Sequence, residues 1–144
     1  MKRFLLVLLL LVTAAGPAAA EELTLMLDWF PNVDHLPIYT AAQKGFFKEA
    51  GLEVEILSPS ETTDGLKLAA AGRVDLAVSY QPQATIAAAA GLPVHVVGRL
   101  VAHPLTTLLF LKDSGIQTPA DLSGRPIGYT VPGLMDVLLA AFAK

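Results

Sequence analysis

Three glycines, Gly51, Gly72 and Gly91, each stand at the end of a stretch with helical spacing and just ahead of an aliphatic run. Glycine takes the left-handed backbone that stops a helix without steric cost, so each marks a helix end followed by a strand. Together with the first apolar run the pattern predicts strand Leu23–Leu27, helix Pro37–Ala50, strand Val54–Leu57, helix Leu66–Ala71, strand Val74–Tyr80, helix Ala84–Ala90 and strand Val94–Val101. Strands alternating with helices are the grammar of parallel βαβ units. The strands are aliphatic along most of their length, as strands covered by helices on both faces must be. The predicted fold class is therefore α/β, with an open, mainly parallel sheet.

Further along, Thr106–Leu111 reads as a strand, Lys112–Gly115 as a turn and Pro119–Leu122 as a short helical turn. Arg125–Thr130 reads as a new strand. Gly133–Lys144 reads as a helix with Leu134, Val137, Leu138, Ala141 and Phe142 on one face. One strand and one amphipathic helix cannot enclose a core. Residues 21–111 are thus expected to form a first α/β lobe, and residues 112–144 the crossover and first strand–helix unit of a second, incomplete lobe.

At the amino end, Lys2 and Arg3 precede an unbroken apolar run from Phe4 to Val12, then small residues ending in Ala18-Ala19-Ala20. This is the three-part pattern of a secretory signal peptide, so residues 1–20 are set aside as a leader cleaved near Ala20. The run is shorter than the ~20 residues of a bilayer span. Removing the leader takes the formal net charge from −3 to −5, which argues against nucleic acid or an anionic membrane as partner. The chain has no cysteine, hence no disulfides, no thiolate metal site and no lipid anchor at the cleavage point. A periplasmic protein that is not membrane-spanning is expected. His35, His95 and His103 lack metal-ligand spacing, and there is neither a phosphate loop nor a G-x-S-x-G elbow. No metal, no cofactor and no catalytic residue are expected.

In open parallel sheets, ligands settle outside the carboxyl ends of the strands, where loops gather and helix N-termini point their N–H groups. Asp28 and Trp29 end the first predicted strand, with Asn32, Asp34 and His35 close behind. Ser58 and Ser60 follow the second strand, Ser79, Tyr80 and Gln81 the third, and Tyr129 and Thr130 the strand at 125–130. The opposite strand ends offer Glu22, Glu53 and Arg73 instead. Taken singly, each residue has a plainer role: Trp29 as core, Asp28 and His35 as turn and helix-start partners, Tyr80 and Gln81 as rim residues. Their recurrence at one rim is what a binding cleft leaves in a sequence. Ligand contacts are accordingly expected from Asp28, Trp29, Asn32, His35, Ser79, Tyr80 and Gln81.

The segments "LDWFPNVDHLPIYTAAQKGFFKEAGLEVEI", "GLKLAAAGRVDLAVSYQPQ" and "FLKDSGIQTPADLSGRPIGYTVPG" resemble the family that joins ABC-importer binding proteins for thiamine pyrimidine precursors with thiamine pyrimidine synthases. The third segment recurs among binding proteins for nitrate and sulfonates. The resemblance implies a two-lobed type II periplasmic binding fold, roughly twice this length, with the ligand gripped between lobes. It implies as partners a small heteroaromatic ligand and an ABC permease with its ATPase. Synthase members carry a lysine that holds pyridoxal phosphate and, four positions on, a histidine consumed as a source of ring atoms. In "VDLAVSYQPQ" those positions fall on Ser79 and Gln83. Serine cannot form a Schiff base, so the resemblance favours a binder over an enzyme. In pyrimidine-binding relatives the ring-holding elements correspond to Trp29, Tyr80 and Gln81. The rival readings are an anion binder using the helix start near Pro132–Gly133, and a synthase-like enzyme.

Overall fold

The computed structural model describes residues 19–103, 105–131 and 133–143. The leader expected over residues 1–20 lies outside the described residues except for Ala19 and Ala20. Three parallel strands form one sheet in the order β2-β1-β3: β1 is Glu21–Met26, β2 is Leu52–Leu57 and β3 is Leu76–Ala77. The register pairs Glu21 with Leu52 through Met26 with Leu57, and Leu25 and Met26 with Leu76 and Ala77. The ladder runs past the carboxyl end of each assigned pairing: Leu27 N–H donates to Leu57 O at 2.8 Å and Val78 N–H to Met26 O at 2.8 Å.

β2 carries exposed Glu53 and Glu55 between half-buried Leu52, Val54 and Ile56. Charges on an edge strand oppose pairing with a foreign strand. The central strand ends in Met26 and Leu27, both buried, and Leu27 is 0% exposed. Ile38, Val74 and Ala87 complete the core against the sheet.

Helix α1 is Leu36–Lys44, α2 Phe46–Glu49, α3 Asp64–Ala70, α4 Gln81–Ala89 and α5 Leu134–Phe142. The single helix expected over Pro37–Ala50 is thus two. Gly45 takes φ 80° between them, and a left-handed residue cannot continue a right-handed helix. The helix expected at Ala84 begins at Gln81 instead, with Pro82 in its first turn, where a missing N–H costs nothing. Gly65, in the first turn of α3, lies against the sheet. A Cβ there would stand 3.3 Å from Met26 Cγ and 3.4 Å from Ala77 Cβ.

Three expected strands are absent as strands. Val94–Val101, Thr106–Leu111 and Arg125–Thr130 are extended or irregular and join no ladder. Val94 N–H turns back to Leu92 O at 2.8 Å, and Val97 is 82% exposed. Strand-forming side chains define a strand only where a neighbour accepts the backbone hydrogen bonds. β3 shrinks from the expected Val74–Tyr80 for the same reason, since among the described residues no strand lies beyond it. What holds β3 to β1 is partly side chain: the Asp75 carboxylate accepts from Thr24 N–H and from Thr24 Oγ1, each at 2.7 Å. Helix α5 runs as expected up to Phe142; Lys144 lies outside the described residues. Leu134 is buried and Leu138 half-buried, whereas Val137 and Phe142 are exposed.

Candidate functional site

The strand order fixes where a site can be. From β1 the chain crosses to β2 on one side, and from β2 it crosses to β3 on the other, so β1 is the switch point. The loops leaving β1 and β3 start there, at the carboxyl end where open parallel sheets place a binding crevice. The loop after β1 begins Leu27-Asp28-Trp29, and the loop after β3 is Val78-Ser79-Tyr80.

Asp28 is buried at this point, and its Oδ1 lies 2.7 Å from Nε2 of His35, which is 1% exposed. The pairing follows from a local motif. Asn32 opens a 3-10 turn over Val33–His35, its Oδ1 accepting from Asp34 N–H at 2.9 Å, while Asn32 N–H donates to His35 Nδ1 at 3.3 Å. This reciprocal cap works as a Ser-x-x-Glu capping box does, with Asn and His in the two roles. Nδ1 is thereby an acceptor, which places the ring proton on Nε2, donated to Asp28. His35 has no ring nitrogen left for a ligand; its part is to aim the carboxylate.

Tyr80, on the other loop, lies close enough to the same carboxylate for Asp28 to act on its phenol. Partial burial, followed by the hydrogen bond to Asp28 and the charges of Asp28 and Asp34, holds its phenol well above the ordinary value, so it stays protonated as a donor. With His35 engaged, a carboxylate with about four lone-pair sites keeps acceptor capacity. Trp29 follows Asp28 in the chain, 37% exposed, its ring tilted 44° against Phe30 with centroids 6.4 Å apart. Among the described residues no ring pair joins Trp29 to Tyr80.

The remaining expected residues divide. Ser79 Oγ donates to Gln83 Oε1 at 3.3 Å, one helical turn away. Gln81 is exposed at the first position of α4, and Asn32 is spent on the turn, its Nδ2 donating to Phe30 O at 3.0 Å. Tyr129 sits elsewhere, donating to Asp136 Oδ1 at 2.6 Å. Gln83 was not among the expected contacts, yet its buried Nε2 has no partner and lies 3.6 Å from where a Gly133 Cβ would be. Its position four residues after Ser79, in the first turn of α4, was the available signal. No group of three metal-ligating side chains occurs among the described residues, and no described helix is long and apolar enough to cross a membrane.

A family described as NMT1/THI5 like matches residues 32–144. The chain is 50% identical over 121 residues to a Haemophilus influenzae protein described as a thiamine biosynthesis protein, covering 84% of this chain and 38% of that one. It is 42% identical over 122 residues to the formylaminopyrimidine-binding protein of Halalkalibacterium halodurans, covering 85% and 36%. A 4-amino-5-hydroxymethyl-2-methylpyrimidine phosphate synthase of Saccharomyces cerevisiae is 38% identical over 112 residues, 77% of this chain and 33% of the synthase. The chain thus spans under two fifths of the length of these curated relatives.

Proposed function

We propose, for a chain that belongs to the NMT1/THI5-like family, that it binds a thiamine-type aminopyrimidine in the crevice at the end of β1, as the solute-binding component of a periplasmic ABC importer. The observation that carries this reading is the Asp28 carboxylate, buried and aimed by His35, with the Tyr80 phenol under its influence and the partly exposed Trp29 next in the chain.

The chemistry matches a flat amino-heterocycle. Asp28 accepts from an exocyclic amine or a protonated ring nitrogen, a charge-assisted bond of about 1.5–3 kcal/mol. Stacking on Trp29 or Tyr80 adds about 0.5–1.5 kcal/mol per ring beyond area burial. Ser79, Gln81 and Asn32 supply rim polarity. The formylaminopyrimidine-binding relative supports a ligand of this class.

The enzyme reading fits the residues poorly. Where the family's synthases are expected to hold pyridoxal phosphate, Ser79 offers a hydroxyl engaged with Gln83 and no amine. The anion reading meets a carboxylate. Gly133 N–H at the start of α5 already donates to Asp136 Oδ2 at 3.0 Å, and a fixed negative charge there repels an oxyanion. Export through the leader, and closure of a second lobe over the ligand to present a surface to permease and ATPase, complete the transport reading.

Calorimetric titration with 4-amino-5-hydroxymethyl-2-methylpyrimidine and its formylamino analogue tests the proposal. Micromolar affinity is about −8.2 kcal/mol, and half of that from one crevice wall leaves binding at around millimolar. Saturable heat in that range, lost in Asp28→Asn, supports the reading. Binding of nitrate or an alkyl sulfonate that is indifferent to Trp29→Ala would overturn it in favour of the anion binder, and a pyridoxal absorbance band on purification in favour of the enzyme.

A further inference from the structure

Among the described residues one buried side-chain donor is unused. Gln83, in the first turn of α4, is 9% exposed, and its Nε2 is shut off from solvent with no hydrogen-bond partner among those residues. A carboxamide nitrogen carries two N–H groups, and burying them unpaired is costly. For packing alone, methionine, of similar length and without a donor, would serve as well.

The amide is held in one orientation. Ser79 Oγ donates to its Oε1 at 3.3 Å, so the oxygen end turns to the loop after β3 and the nitrogen end turns away from it. On the nitrogen side stand Gly133, at the start of α5, and Thr63, just ahead of α3. A single carbon placed as a Cβ on Gly133 would lie 3.6 Å from Gln83 Nε2 and 3.6 Å from Thr63 Cγ2, at ordinary contact distance with each. Glycine at 133 carries no such carbon, which leaves a notch one carbon wide with Thr63 as its wall and a donor as its floor. That width suits the slim arm of a small molecule better than the face of a ring. The notch adjoins the Asp28 crevice through the chain: Ser79, which holds the amide, precedes Tyr80, whose phenol Asp28 acts on. Asp28 accepts and Gln83 donates, so a ligand that meets both carries an amine and, a short reach away, an acceptor.

We propose that Gln83 determines specificity: its Nε2 donates to an oxygen on the side arm of the pyrimidine, so that aminopyrimidines with a hydroxymethyl or formylamino arm are preferred over those with a bare alkyl arm. This rests on the aminopyrimidine reading of the Asp28 crevice and adds to it which substituent the chain reads. A site with a buried donor rejects a ligand that leaves the donor unpaired far more strongly than it rejects one that merely makes less contact.

The test compares 4-amino-5-hydroxymethyl-2-methylpyrimidine with its analogue carrying methyl in place of hydroxymethyl, by calorimetric titration of the unsubstituted chain and of Gln83→Met. The unsubstituted chain is expected to prefer the hydroxymethyl compound at least ~10-fold, and Gln83→Met to bring the two within about 2-fold of each other. Without any ligand, Gln83→Met is expected to raise the urea midpoint, because an unpaired buried donor is removed; a glutamine kept for the fold alone would lower it. Equal affinity of the unsubstituted chain for the two compounds, a preference that survives Gln83→Met, or a lowered urea midpoint would each overturn the role of Gln83 while leaving the aminopyrimidine reading in place. Binding of neither compound would overturn that reading and the role of Gln83 with it.

Discussion

Residues 19–92 and residues 93–143 draw on the same aliphatic vocabulary, yet only the first half turns it into a ladder. In the first half β1 has a neighbour on each side, and its continuation, Leu27, is sealed from solvent. In the second, Val96, Val97, Leu109 and Leu111 stand exposed, and among its described residues only Val131 and Leu134 are buried. The difference is one of partners rather than of propensity. A helix satisfies its own backbone, as α5 does in the second half, whereas a strand borrows its hydrogen bonds from elsewhere in the fold. The crevice lies wholly in the half that found its partners, so its polar groups are held by structure that is already complete.

The contrast is breakable by substitution. Leu27→Ala removes a fully buried side chain beneath the crevice and is expected to cost about 2–5 kcal/mol, read as a shift of the urea midpoint. A neutral result would mean the first half has no packed core. Next in size, His35→Ala leaves the buried Asp28 carboxylate without its donor and undoes the Asn32 turn. The expected cost is about 2–3 kcal/mol, part of it recovered when Asp28→Asn is added. A third substitution, Gly65→Val, drives carbon into Met26 and Ala77, for about 1–3 kcal/mol.

Acid sharpens the comparison further. The Asp75 carboxyl is lowered from 3.8 chiefly by the Thr24 N–H and hydroxyl, and the Asp121 carboxyl by Gln117 N–H and Thr118. A carboxyl lowered in the folded state lends stability that is full above its unfolded value and lost as pH falls through the folded one. Stability is therefore expected to drop below pH ~4. Asp75→Asn should remove part of that dependence from global unfolding, because Asp75 joins β3 to β1. Asp121→Asn should not, because it closes a turn in the unladdered half; an equal effect of the two would put both halves in one cooperative unit. The smallest effect belongs to Leu109→Ala, expected within about 0.5 kcal/mol of the unsubstituted chain. A loss matching that of Leu27→Ala would place Leu109 in a core.

How much of this was legible in the sequence follows the same division. The helix stops at Gly51, Gly72 and Gly91 were readable, and their φ of 76°, 63° and 78° is the left-handed conformation that glycine tolerates. β1 and β2 were readable from aliphatic runs that do find neighbours. Gly45 was passed over as a break because the apolar spacing continues across it. Val94–Val101, Thr106–Leu111 and Arg125–Thr130 misled because composition reports the capacity to pair, not the presence of a partner. In the site, chain order put Asp28 and Tyr80 at neighbouring strand ends. The aiming of Asp28 by His35 was not legible, since an Asn-x-x-His cap lacks the usual Ser/Thr and Glu. Gln83 escaped because burial of a helix-start amide depends on where α5 docks, which no local pattern encodes.

The central claim is that the buried Asp28 carboxylate and the adjacent indole receive one aminopyrimidine. Trp29 is the sole tryptophan, so its fluorescence during titration with 4-amino-5-hydroxymethyl-2-methylpyrimidine reads that place alone. Saturable quenching that disappears in Asp28→Asn while the far-ultraviolet spectrum is unchanged is the predicted result. Unaltered Trp29 emission at ligand concentrations where calorimetry registers binding would contradict it.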